Sequence, residues 1–184
     1  MFEVPFVQRN VQFDINKVVN SIRSHCKTLK HPNPWVNQSH VITSIAAGAE
    51  DAWQDEELFK AIQPVLKEYI DKVIGLNVKL NCHMWYNIYN DGYNQEQHNH
   101  ISVGNIASGI VYLQMPEKST ATKFINPNTL FYNSTEYKEE FKYYTPKVKP
   151  GDCVIFPPWL EHRVDKQFDI VTTRVTVAFN ISNK

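Results

Sequence analysis

The sequence predicts a mainly β protein, an antiparallel sandwich of short strands with N-terminal helices packed on its outside. Three observations carry that expectation. Apolar residues recur with helical period in two stretches of residues 1–75. From about residue 76 the pattern changes to alternation of period two. Turn residues then punctuate the chain at Asp91-Gly92, Pro116, Asn126-Pro127-Asn128 and Pro150-Gly151. A single domain is expected over 1–184, with 1–75 supplying an extended start and supporting helices and 76–184 the β core.

The elements follow in order. Phe2 to Val7 reads as extended. Asp14 is placed to cap a helix whose apolar face is Ile15, Val18, Val19, Ile22, Cys26 and Leu29, and His31-Pro-Asn-Pro34 is its stop. A second helix is expected from about Asp55 to Ile74, burying Leu58, Phe59, Ile62, Val65, Leu66, Tyr69, Ile70 and Val73. Gly75 ends it, and Pro64 interrupts its pattern. Strands are expected at Val78–Tyr89, Ala107–Gln114, Thr122–Ile125, Lys142–Val148, Asp152–Phe156, Glu161–Val164 and Ile170–Ile181.

Composition narrows the function classes. Nineteen basic and nineteen acidic residues leave no net charge, which argues against a nucleic-acid partner held by phosphate neutralisation. No apolar stretch approaches membrane-spanning length. Cys26, Cys82 and Cys153 are odd in number and widely spaced, as expected of reduced thiols. The start MFEVPFVQRN lacks a basic region followed by an apolar run, so a cytoplasmic protein is expected, in the host cytoplasm if phage-encoded.

Of seven histidines, His25, His31, His40 and His83 are expected on the surface or in ordinary hydrogen bonds. His98 and His100 are two apart, so in an extended strand both imidazoles point the same way. His162 lies between two strand candidates that antiparallel pairing can bring opposite them. Two ligands from one segment and a third from a remote one make a facial triad with open coordination positions.

Alternation along residues 174–180 puts Arg174, Thr176, Ala178 and Asn180 on one face and Val175, Val177 and Phe179 on the other. The second set suits packing against helices. The first faces a guanidinium into the interior, which is costly unless it is paired. Either a carboxylate from another strand or a bidentate carboxylate ligand would satisfy it, with Thr176 adding a hydroxyl donor.

The pieces Trp85-Tyr-Asn87, His98-Asn-His100, Ser108-Gly-Ile-Val-Tyr112-Leu113, Phe156-Pro-Pro-Trp-Leu-Glu-His162 and Arg174-Val-Thr-Val-Ala-Phe-Asn180 resemble the 2-oxoglutarate/Fe(II)-dependent oxygenase superfamily. They look most like a group of short oxygenases of phages and bacteria. The resemblance implies a double-stranded β-helix (jelly roll), bound Fe(II), 2-oxoglutarate as cosubstrate, and O2. It implies His98 and His162 as metal ligands, Arg174 on the distal carboxylate of 2-oxoglutarate, and Tyr112 donating to the same carboxylate. Tyr89 would reach the end of the cosubstrate that chelates iron. The superfamily's common motif is His-x-Asp/Glu, and His100 stands where that carboxylate belongs. It is either a third ligand, the reading favoured here, or a neighbour of a two-ligand site. The implied reaction is oxidation, most simply hydroxylation, of a small-molecule or peptide substrate, with succinate and CO2 released. Trp85, Phe124, Phe156 and Trp159 are candidates for an apolar wall, the two Phe being better placed in the core. Val41–Trp53 and Asn126–Tyr144 are candidates to frame its mouth.

Two other readings compete. A cupin shares the jelly roll and three-His sites, but its first motif continues to a Glu that residues 101–106 lack, and it leaves Arg174 and Tyr112 unexplained. A non-catalytic jelly roll would need neither metal nor 2-oxoglutarate.

Overall fold

The computed structural model describes residues 4–30, 40–45, 52–75, 80–128 and 138–183. Within them the order is β1 (Val7–Asn10), α1 (Ile15–Cys26), β2 (Ile42–Thr43), α2 (Glu56–Val73), β3 (Leu80–Tyr89), β4 (Gln95–His98), β5 (Asn105–Gln114), β6 (Lys123–Ile125), α3 (Glu139–Lys142), β7 (Tyr143–Tyr144), β8 (Asp152–Phe156), β9 (His162–Val164) and β10 (Arg174–Asn183). The strands make two antiparallel sheets, ordered β1-β8-β5-β10-β3-β2 and β4-β9-β6-β7.

Both long helices form, α1 with the Asp14 cap the sequence predicts and α2 with a cap at the residue where its start is expected. Asp14 accepts the Lys17 N–H at 3.0 Å and Asp55 accepts the Leu58 N–H at 2.9 Å, so each helix start has a capped donor. Pro64 lies inside α2 without ending it. The residue is exposed, so the backbone carbonyl that loses its helical partner faces water. Gly75, at φ +65°, closes α2 by donating to the Ile70 carbonyl at 3.0 Å.

Val18, Val19 and Ile22 of α1 and Leu58, Ile62, Leu66 and Tyr69 of α2 share one core with Val175, Val177 and Phe179 of β10 and with Met84 and Tyr86 of β3. Each such aliphatic side chain contributes about 1.5–3 kcal/mol on burial. The helices therefore cover one face of the six-stranded sheet and leave the other for the site.

Several bounds differ from expectation. The stretch expected as a strand at Lys142–Val148 keeps only Tyr143–Tyr144, following the short α3; Pro146 cannot donate to a ladder. Ile170 to Thr173 lie outside β10, in bends that lead into it. Leu29 lies past the end of α1 yet packs on the same core, and Val73, expected inside, is exposed. Strand β2 has two residues, too few to alternate, and β4 reads Gln-Glu-Gln-His, with no apolar residue to mark a face. The expected stop at 31–34, the strand start at Val78 and the middles of both mouth segments lie outside the described residues.

Gly109 on β5 sits directly opposite Phe179 on β10. A Cβ there would lie 2.6 and 2.7 Å from two carbons of that ring. Gly109→Ala is therefore expected to destabilise the protein by about 1–3 kcal/mol through overpacking. Phe179→Leu should return part of that loss when the two are combined. Urea unfolding of the single and double variants checks this, and additive losses would contradict it.

Candidate active site

Strand pairing brings two of the histidines together. His98 ends β4, His162 begins β9, and the two are direct antiparallel partners. Their side chains therefore share a face, with ring centroids 4.4 Å apart. The His100 ring stands 5.2 Å from that of His98 and 5.1 Å from that of His162. One nitrogen from each ring lies within 4.8 Å of the other two, an arrangement that could hold a metal ion.

The neighbours of two rings fix which nitrogen is offered. His98 Nδ1 lies 2.8 Å from the Glu96 carbonyl oxygen, and His162 Nδ1 lies 3.0 Å from that of Leu160. A carbonyl only accepts, so each Nδ1 carries a proton, and in the neutral ring it is Nε2 that holds the lone pair. Such bonds from the far nitrogen are how metal-binding imidazoles are oriented. Burial pushes His100 down to about 4, with the nearby His98 acting in the same direction. Burial also pushes His162 well below the ordinary range, reinforced by His98 and His100. Neutral imidazoles are the form that binds a cation.

His100 reaches this position differently from the expectation. It lies beyond the end of β4, in a loop. Its N–H donates to the Pro158 carbonyl at 2.8 Å, in the turn that leads to His162. Its carbonyl accepts from Asn105 Nδ2 at 2.8 Å. The Trp85 ring lies against it, centroids 5.5 Å apart.

Arg174 lies deeper between the sheets and is 0% exposed. It stands opposite Tyr89 on β3, with its guanidinium carbon 4.6 Å from the Tyr89 ring and 5.6 Å from the Tyr112 ring. Nη2 donates to Thr122 Oγ1 at 3.3 Å. Nε and Nη1 have no hydrogen-bond partner among the described residues, and no described acid forms an ion pair with this arginine. Of the two partners the sequence left open, a carboxylate from another strand is thus not found among the described residues.

Tyr112 is buried opposite Thr176, and its hydroxyl has no partner among the described residues. Burial pushes that hydroxyl up while the Arg174 charge works against the shift. It stays protonated and can donate. Tyr89 departs from its expected role: its hydroxyl already donates to Gln95 Oε1 at 2.6 Å. Burial pushes it up to about 12, with the Arg174 charge opposing. Thr176 lines the cavity that joins the histidines to Tyr89 and Thr122, a space of about 20 Å³. That is room for about one water, so a larger guest requires side chains to move.

Thr122, Gln95 and Asn87 complete this wall, and the sequence reading did not assign them to it. Asn87 was legible, since it shares the alternation of Trp85 and Tyr89. Thr122 was not, because nothing in its neighbourhood marks it as a partner for an arginine far along the chain. Of the wall candidates, Trp85 faces His100, Phe124 and Phe156 pack beside His162 within the core, and Trp159 is 43% exposed. His25 bonds the Tyr86 hydroxyl, while His40 and His83 are exposed. His31 lies outside the described residues. All three cysteines are free thiols. No described helix is long and apolar enough to cross a membrane.

Residues 83–180 match the family model described as "Putative 2OG-Fe(II) oxygenase", which covers more than half of the chain. No curated protein matches the sequence. Solved structures share the fold. A prolyl-4-hydroxylase of Pseudomonas putida superposes with a TM-score of 0.64 at 12% identity, over 98% of this chain and 94% of that one. A viral collagen prolyl hydroxylase from Paramecium Bursaria Chlorella virus-1, in complex with 2OG, gives 0.62 at 13% identity, over 98% and 97%. HygX from Streptomyces hygroscopicus, with nickel, 2-oxoglutarate and hygromycin B bound, gives 0.61 at 14% identity, over 98% and 84%.

The histidine environment sets a pH dependence for the metal-free protein. Unfolded, His100 and His162 take up protons below about pH 6.5; folded, burial holds both below that. The unfolded state therefore binds more protons between about pH 6.5 and about pH 4, so stability falls as pH falls through that window. Urea titrations of the metal-free protein across it should show this slope, and a shallower one for His100→Gln. Equal slopes would contradict the burial argument.

Proposed function

We propose, since this chain belongs to the 2OG-Fe(II) oxygenase family, that it hydroxylates a small-molecule or peptide substrate with release of succinate and CO2. The family's chemistry uses Fe(II), 2-oxoglutarate and O2. When bound, iron and 2-oxoglutarate together reduce O2 and supply the oxidant that removes hydrogen from the substrate. The observation that carries this reading is a buried guanidinium with two unpaired nitrogens, set against Tyr89 and Thr122 of the cavity that three converging imidazoles also line.

The residues fit those groups chemically. His98, His100 and His162 would hold the cation through three nitrogens and leave one side of it open. Arg174 would take the distal carboxylate of 2-oxoglutarate through its free Nε and Nη1, a bidentate match. Tyr112 would donate its unpaired hydroxyl to the same carboxylate, and Thr176 adds a hydroxyl on the adjoining wall. Tyr89, with its proton held by Gln95, serves as the ring platform beneath the guanidinium rather than as a donor to the chelating end. Trp85 keeps water from one side of the His100 ring. The finer fold reading is a jelly-roll core, 76–184, buttressed by 1–75, acting in the cytoplasm without nucleic acid or membrane. The two-sheet antiparallel arrangement and the free thiols support it.

The test is succinate release from 2-oxoglutarate. It should require both Fe(II) and O2, and the 2-oxoglutarate analogue N-oxalylglycine should inhibit it and raise the Tm of the metal-loaded protein. Metal-dependent oxidation that proceeds without 2-oxoglutarate would instead favour the cupin reading. Arg174→Ala should weaken 2-oxoglutarate binding by about 2–5 kcal/mol, a factor of roughly 30 or more, while metal affinity is kept. Loss of metal in that variant would mean the arginine is misassigned. His162→Ala should abolish metal binding, whereas His100→Asp should retain it if position 100 faces the cation. Calorimetry with Mn(II) reads both.

A further inference from the structure

Among the three imidazoles His100 is held in an unusual way. His98 and His162 are each oriented by their own Nδ1–H on a backbone carbonyl. The His100 ring makes no hydrogen bond among the described residues, and its residue lies in a loop. What fixes it is its backbone, held at the N–H by the Pro158 carbonyl and at the carbonyl by Asn105 Nδ2, the one described side chain that bonds it.

That amide belongs to a chain of bonds running in one direction. The His100 carbonyl can only accept, so the nitrogen of the Asn105 amide must face it. The same Nδ2 lies 3.5 Å from Ser108 Oγ, and Ser108 Oγ donates to Asn180 Oδ1 at 2.8 Å. Ser108 is buried and stands directly opposite Asn180 across β5 and β10. The loop is stitched to the end of the same strand, where the Asn183 N–H donates to the Gly104 carbonyl at 3.0 Å. The loop carrying His100 is thus tied through side chains to the strand that carries Arg174.

We propose that Asn105, Ser108 and Asn180 are positioning residues that set the His100 imidazole against the other two, acting through its backbone carbonyl. The proposal rests on reading the three imidazoles as a metal site. It gives Ser108 and Asn180, which the proposed chemistry leaves without a role, a defined task. Removing the donor leaves the His100 backbone held only at its N–H, on the Pro158 carbonyl, and leaves the other two imidazoles where they are.

Titration of the full-length, metal-free protein with Co(II), followed by its visible absorption, tests this. Asn105→Asp keeps the shape of the side chain and removes its donor. It should weaken Co(II) binding by about 10- to 100-fold and move the spectrum toward that of His100→Ala. In the His100→Ala background the same substitution should change Co(II) affinity no further, because its effect passes through His100. A folded Asn105→Asp with wild-type affinity and spectrum overturns the proposal. So does an equal loss with and without His100. If Asn105→Asp shows no cooperative unfolding transition, Ser108→Ala replaces it, with a smaller loss expected and the same dependence on His100. A wild type that binds no Co(II) would remove the metal site itself and the proposal with it. Binding that ignores all three residues would remove the proposal alone.

Discussion

Arg174 lies fully buried between the rings of Tyr89 and Tyr112, with one hydroxyl partner and no described acid to neutralise it. A buried cation is costly unless paired, so the surrounding structure must hold it in place. The strand that carries it does so. β10 is central in the larger sheet, paired on one side with β3 along its whole length and on the other with β5. Its opposite face supplies Val175, Val177 and Phe179 to the core beneath the helices. Burial of that apolar face is what offsets the unfavourable environment of the charge.

The histidines obey a second constraint of the same kind. Two of them come from strands whose pairing register makes them direct neighbours. Their donors are committed to backbone carbonyls, which leaves lone pairs facing inward. Among the described residues no carboxylate belongs to the cluster. A divalent ion there would keep its full charge, and in the proposed reading the anionic cosubstrate on Arg174 becomes its main neutralising partner.

Much of this was legible in the sequence because alternation is a strong signal where one face is buried. The two faces of residues 174–180 were assigned correctly from period alone, and the caps Asp14 and Asp55 lay at the helix starts. The signal failed where structure is set by contacts distant in sequence. β2 and β7 have two residues each, too few for any period. His100 was placed on a strand by its spacing from His98, yet it reaches the cluster from a loop held by Asn105 and Pro158. Thr122, just before β6 of the smaller sheet, meets Arg174 of the larger one, a contact that no local pattern marks. Tyr89 lines the cavity with the histidines, as its alternation with Trp85 and Asn87 suggests, but the bond that occupies its hydroxyl depends on how the chain turns between β3 and β4.

The alternation of β10 has an evolutionary side. Core and chemistry are interleaved residue by residue on one strand, so a slip of one position would carry Val175 into the cavity and Arg174 under the helices. A chain mispaired in this way would lose the guanidinium from the cavity and its packing together. Substitutions on one face of this strand would therefore tell on its packing and those on the other on the proposed chemistry, so drift is constrained on both.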